Sequence, residues 1–216
     1  MARAWILLPA LLVAGCSPAP KLTTVAPPKL EMGWQRFSNS DVSIDLPPGW
    51  LAFDLNVGTE ELERFVARFD PAYARRLAGD VGKAIKASSF TVFAVDASGP
   101  PKMQKDADRL ILSGSDGAPR GLRAAADFVI SSLTASLQQA GAVRRSEIAL
   151  PIGKAVEFFV SGVAEDPDGR SARLSIQGYV LLNGSEGITA TFQTNASSPA
   201  KEARFRKALE TFRAMP

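Results

Sequence analysis

The 216-residue chain contains no histidine. That absence removes the commonest general base and the commonest metal ligand together. It contains one cysteine, so neither an intrachain disulfide nor a thiolate metal cluster can form. An excess of one charge is also lacking: 25 Lys and Arg against 22 Asp and Glu leave +3, too balanced for a nucleic-acid binder. No apolar run approaches the roughly 18 residues of a membrane span. Seventeen glycines and fifteen prolines are too few for a collagenous or low-complexity chain. What remains is a chain with 46% hydrophobic residues, enough for one globular domain with short attachments. No cofactor or metal is expected.

The first residues are of a different kind from the rest. Met1-Ala2-Arg3 gives a short cationic start, and residues 4–14 are apolar over the length of a signal peptide. They run into Leu12-Val13-Ala14-Gly15-Cys16, where the only cysteine of the chain stands. This stretch resembles the lipobox of bacterial lipoproteins. Small side chains at Ala14 and Gly15 let an extended backbone enter a peptidase site, and the Cys16 thiol can form a thioether to diacylglycerol. The resemblance implies cleavage before Cys16 and acylation of the new terminus. Two chains, at about 0.8 kcal/mol per buried methylene, make such an anchor effectively permanent. Ser17, where an aspartate tends to retain lipoproteins in the inner membrane, favours the outer membrane. The alternative is a plain signal peptide that leaves Cys16 a free thiol.

Three segments are therefore expected: a signal peptide over 1–15, a lipidated cysteine with a Pro-rich tether over 16–33, and a single domain over 34–216. Pro18, Pro20, Pro27 and Pro28 deny the tether a helix or a central strand. At about 3.1 Å per residue its seventeen residues would hold a domain up to roughly 50 Å from the bilayer.

Within the domain, Val42, Ile44 and Leu46 alternate with Ser43 and Asp45, Pro48-Gly49 suits a type II turn, and residues 50–55 read as a returning strand. A hairpin is expected. Thr59 with Glu60, Glu61 and Glu63 reads as a helix N-terminus. Its helical region has Leu62, Phe65, Val66 and Phe69 as the apolar face and runs toward Lys86. Residues 89–96 and 109–113 are strand candidates. Leu122, Ala126, Val129, Leu133 and Leu137 recur at helical spacing, with Gly141 placed as a stop signal. Residues 143–150, 154–162, 173–182 and 187–194 follow as four strands of an antiparallel meander. In the last two, Leu174, Ile176, Val180, Leu182, Ile188, Ala190 and Phe192 are expected on one face. Arg173, Ser175, Gln177, Thr189, Thr191 and Gln193 are expected on the other. Ser198-Pro199 opens a final helix with Phe205, Ala208, Leu209 and Phe212 inward.

The expected class is α+β, an antiparallel sheet flanked by helices. The opening from Phe37 through the strand to Pro47-Pro48-Gly49-Trp50 resembles the start of PsbP-like domains, and the closing strand at 188–194 with the helix carrying Phe205 and Phe212 is similar to their end. The resemblance implies an α/β/α sandwich. It implies no activity, since that fold hosts unrelated roles.

Sequence candidates for chemistry are few. Ser198-Pro199-Ala200-Lys201 has the S-x-x-K spacing of penicillin-recognising enzymes without their other motifs, so capping is the expected role. Asp41 and Asp45 would share one side of a strand, as an exposed polar face or as a carboxylate pair. Asp166-Pro167-Asp168-Gly169 reads as a turn rather than a calcium loop. Gly79 to Lys83 lacks the spacing of a phosphate loop. Asn183-Gly184-Ser185 and Asn195-Ala196-Ser197 read as turns. Lys201, Arg204, Arg206, Lys207 and Arg213 form a basic helix end that could meet anionic surfaces; Arg64, Arg68, Arg75 and Arg76 form another such face. The expectation is a non-enzymatic envelope lipoprotein held in the bilayer by acylated Cys16, with an envelope protein as partner and no nucleic acid. Its alternatives are a small-molecule or lipid carrier and a histidine-independent hydrolase.

Overall fold

Alternating runs and the turn residues between them resolve into ten strands and three helices among the residues described, 21–68, 88–99, 107–165 and 171–215 of a computed structural model. In chain order these are β1 (Gln35–Ser38), β2 (Val42–Leu46), β3 (Trp50–Asp54), α1 (Glu60–Ala67), β4 (Phe90–Asp96), β5 (Arg109–Ser115), α2 (Leu122–Ala135), β6 (Arg144–Leu150), β7 (Gly153–Glu165), β8 (Ser171–Asn183), β9 (Glu186–Thr194), α3 (Pro199–Glu210) and β10 (Arg213–Ala214). The chain is of mixed α+β class, built on two antiparallel sheets. The larger has the order β3-β4-β5-β9-β8-β7-β6 and the smaller β1-β2-β10. The four-strand meander from β6 to β9 forms as expected. The helical region expected over 59–86 is described only through α1 and the residue after it; the remainder lies outside the described residues.

The register corrects the expected faces of β8 and β9. Val180 stands opposite Thr189, Tyr179 opposite Ala190 and Gln177 opposite Phe192. Ile176, Val180 and Leu182 therefore share a face with Thr189 and Thr191, and Ile188, Ala190 and Phe192 point the other way. Both faces are buried. On one, Ala125, Ala126 and Ile130 of α2 pack on Val156, Phe158, Val160, Ile176 and Val180, while Leu62 and Phe65 of α1 pack on Phe53 and Val95. On the other, Phe205, Ala208 and Leu209 of α3 pack on Tyr179, Leu181, Ile188, Ala190 and Phe192. Trp50, Phe205 and Phe192 form an aromatic column there, with Phe192 and Phe205 stacked at 4.6 Å and Trp50 edge-on at 6.1 Å.

Two local expectations also change. The turn at Pro47-Pro48-Gly49-Trp50 is made, with Trp50 N–H donating to Pro47 O at 3.3 Å and Gly49 at φ 82°, as a type II turn requires. It does not close a hairpin: β2 enters the small sheet and β3 the large one. The two strands lie in separate sheets because β3 pairs along its whole length with β4 and β2 lies between β1 and β10. Gly141 is not the stop of α2, which ends at Ala135 with Ser136 as its cap; Gly141 N–H instead donates to Ser161 O at 2.7 Å.

Residues 21–33 contain no helix or strand, as their prolines demand, yet they do not stand free. Leu22 packs against the main core, Thr23 N–H donates to Ile152 O at 2.7 Å, and the Arg213 guanidinium donates to the carbonyls of Val25 and Ala26. Arg36 reaches Pro28 O at 2.7 Å, and Lys207 pairs with Glu31 at 2.7 Å. Of the polar face expected at Asp41, Ser43 and Asp45, only Asp41 is exposed, and the other two are covered for the same reason. Arg36 opposite Asp45, and Arg213 opposite Ser43, lie on that side of the small sheet, and both arginines bind the docked segment. Ser43 and Asp45 are consequently 5% and 3% exposed.

Candidate binding site

With both faces of the large sheet packed, polar side chains among the described residues gather where α3 begins. Ser198 caps this helix through its hydroxyl, which accepts from Lys201 N–H at 3.3 Å, and Pro199 occupies the first turn. A cleft of about 200 Å³ opens between the helix start, the beginning of β6 and the middle of β7 and β8. Arg144, Phe159, Gln177, Ser197, Glu202 and Phe205 line it. The Arg144 guanidinium lies 4.7 Å over the Phe159 ring, an arrangement that holds a cation beside an apolar floor. Ser197 donates to Glu202 at 2.7 Å across the helix start.

Behind the cleft is a buried polar cluster. Tyr179 Oη donates to Glu157 Oε1 at 2.8 Å, and Gln177 Nε2 donates to Glu157 Oε1 at 3.0 Å and to Tyr179 Oη at 2.5 Å. Tyr179 is fully buried, and Glu157 and Gln177 are each 5% exposed. Arg206 Nη1 stands 3.8 Å from the second Glu157 oxygen. Burial, and then the adjacent Glu157 carboxylate, raise the Tyr179 phenol far above its ordinary pKa, so it stays a proton donor to Glu157 at any physiological pH. With Gln177 Nε2 committed to Glu157 and Tyr179, its Oε1 is left buried without a protein partner. A buried acceptor without a donor costs about 1–3 kcal/mol, which a donor supplied from the cleft would offset.

Sequence reasoning did not find this cluster. Gln177 reads as one member of a solvated polar face, and Glu157 is a single acid within the apolar run 155–160. The available signal was that second fact, because a lone carboxylate on a strand buried on both sides must be supplied with donors.

The residues that the sequence did single out are placed elsewhere. Cys16 and residues 1–15, expected to be a signal peptide, lie outside the described residues, as do the Gly79 to Lys83 stretch and Asp166 to Gly169. Lys201 does not face Ser198 as an S-x-x-K pair would require: its amine binds Asp108 at 2.8 Å and Thr194 Oγ1 at 3.0 Å. Asp41 and Asp45 form no carboxylate pair, since Asp45 takes a two-point contact from Arg36 at 2.6 and 2.9 Å while Asp41, exposed, accepts from Ser40 at 3.0 Å. Asn183-Gly184-Ser185 lies in the β8–β9 turn, with Gly184 at φ 66°.

The basic end of α3 is divided among partners. Lys201 goes to Asp108, Arg206 lies near Glu157 and Glu210, and Lys207 meets Glu31 and the Trp34 ring. Arg213 is buried against the carbonyls of Glu210 and Phe212, and that burial lowers its pKa. Arg64 Nε donates to Glu60 O at 3.2 Å within α1. Among the described residues no helix is long and apolar enough to cross a membrane. No protein-family model matches the chain, and no curated protein matches it in sequence.

Proposed function

We propose that this chain is an envelope lipoprotein, acylated at Cys16, whose domain acts without catalysis as a binding or assembly module for another envelope protein. The observation that carries this reading is the placement of the single cysteine directly after an apolar leader and the small residues Ala14 and Gly15. The lipid bilayer is then one partner, through the acyl chains, and Ser17 favours the outer membrane. The resemblance to PsbP-like domains extends the proposal to the fold, which is supported by the strand and turn leading to Trp50 and by a closing strand and helix packed on the large sheet.

The cleft at the start of α3 is the proposed contact point. Its volume of about 200 Å³ is below the roughly 300–1,000 Å³ of pockets that enclose drug-sized ligands, and suits a side chain or loop of a partner. A second reading, capture of a compact small molecule, is favoured by the unpaired Gln177 Oε1, which asks for a hydrogen-bond donor. Intact mass of protein purified from membranes tests the anchor: the value expected is that of residues 16–216 plus diacylglycerol and an amide acyl chain. Cys16→Ser should move the domain from the membrane to the soluble fraction. An unmodified mass, or membrane association that survives the substitution, rejects the reading.

A further inference from the structure

The docked segment shortens the connection between anchor and domain. Leu22 and Thr23 are already held on the body of the domain, Thr23 by Ile152 O. A chain from Cys16 to Thr23 spans about 25 Å at most when fully extended, against roughly 50 Å for a free spacer reaching to residue 33. The attachment point is also at one definite end of the fold. Ile152 lies in the β6–β7 turn, and the register aligns this turn with the β8–β9 turn at Asn183 and Glu186 and with the end of β5 at Ser115. The cleft lies toward the opposite end, where Ser161, Ser175 and Thr194 stand in one row across β7, β8 and β9 and the β7–β8 pair runs on past it to Glu165 and Ser171. Along β8 the path from Asn183 to Ser175 is about 26 Å at 3.3 Å per residue.

We propose that the end of the large sheet carrying the β6–β7 and β8–β9 turns faces the bilayer surface, and that the cleft at the start of α3 opens away from it toward soluble partners. This rests on the reading of Cys16 as the lipid anchor. The orientation is set by the leash and not by attraction to anionic headgroups, because the turn end presents Lys154 and Arg120 together with Asp116 and Glu186. It is therefore expected in vesicles of phosphatidylcholine alone.

The test uses full-length acylated protein in phosphatidylcholine vesicles whose headgroups carry an energy-transfer acceptor. With Cys16 acylated, an introduced cysteine is the only free thiol, so a donor dye can be placed by Ser185→Cys in the β8–β9 turn or by Ala200→Cys at the start of α3. Both positions are exposed. Transfer from residue 185 should exceed transfer from residue 200 severalfold. Adding Leu22→Ser and Thr23→Pro, which removes the N–H given to Ile152 and leaves the segment held from Val25 onward, should lengthen the leash and narrow the difference while the protein still floats with the vesicles. Flotation with equal transfer from both positions before those changes, or with residue 200 the nearer, overturns the orientation and leaves the anchor standing. Failure to float overturns the anchor itself, and the orientation with it.

Discussion

Glu157 and Tyr179 stand opposite each other on β7 and β8 beneath α3, and the acid is kept by what surrounds it. A carboxylate desolvated to this degree needs donors, and it has two from Tyr179 and Gln177 with a guanidinium at 3.8 Å. Tyr179→Phe keeps the ring and its edge contact with Phe192 at 6.3 Å, and deletes two hydrogen bonds, the one given to the charged Glu157 and the one accepted from Gln177. The expected loss is about 1.5–3 kcal/mol, read as a lower urea midpoint with an unchanged m-value. At this scale the sequence was a partial guide. Ser198 as a cap was legible because N-capping is local, as was positive φ at Gly49. Asp45 and Gln177 were not, since what buries them is supplied by residues distant in the chain: Arg36 and the docked segment for one, α3 for the other.

At the scale of elements, β7 and β8 are tied by one cross-strand fit. Phe158 stands opposite Gly178, and an ideal Cβ on that glycine would fall 1.9 Å from Phe158 Cζ. The ring occupies the space that the glycine leaves open, and being fully buried between the sheet and α2 it has nowhere to retreat. Gly178→Ala should therefore destabilise by overpacking, by about 1–3 kcal/mol, measured by thermal unfolding. Restoration by an added Phe158→Leu would tie the loss to this contact. The meander of β6 to β9 was legible in the sequence, because each strand pairs with its neighbour in the chain. Its faces were misread because alternation gives the period within a strand but not the phase between strands, and a register that sets Val180 against Thr189 reverses the assignment of β9. The β2–β3 hairpin failed in a related way: the turn chemistry is local and correct, whereas the sheet that each strand joins is decided by β4 and β10.

For the whole molecule, the segment expected to be a spacer proves to be a cover. It lies on the outer side of the small sheet, supplies carbonyls to Arg36 and Arg213, and adds Leu22 to the core. A chain beginning at Trp34 should fold and yet be less stable than one beginning at Lys21, by roughly 1–3 kcal/mol for the charged donors left without their carbonyls. Paired denaturation curves of the two proteins check this, and equal midpoints would mean that the cover contributes nothing. Proline content correctly denied residues 21–33 regular structure, but it carries no information about docking, which depends on Ile152 and Arg213 far away in the chain as well as on the nearby Arg36.

The small sheet is closed by a strand that comes far later in the chain than the two it completes. β10 pairs Arg213 and Ala214 with Ser43 and Val42, and Met215 N–H donates to Asp41 O at 2.7 Å, so one edge of β2 stays open until the ribosome has added Arg213, Ala214 and Met215. A polypeptide still being synthesised cannot complete this layer, and the long loop that must close to do so slows the step further. If the chain is exported as proposed, that delay would keep this layer open, and the chain threadable through a translocation channel, while β10 is still missing.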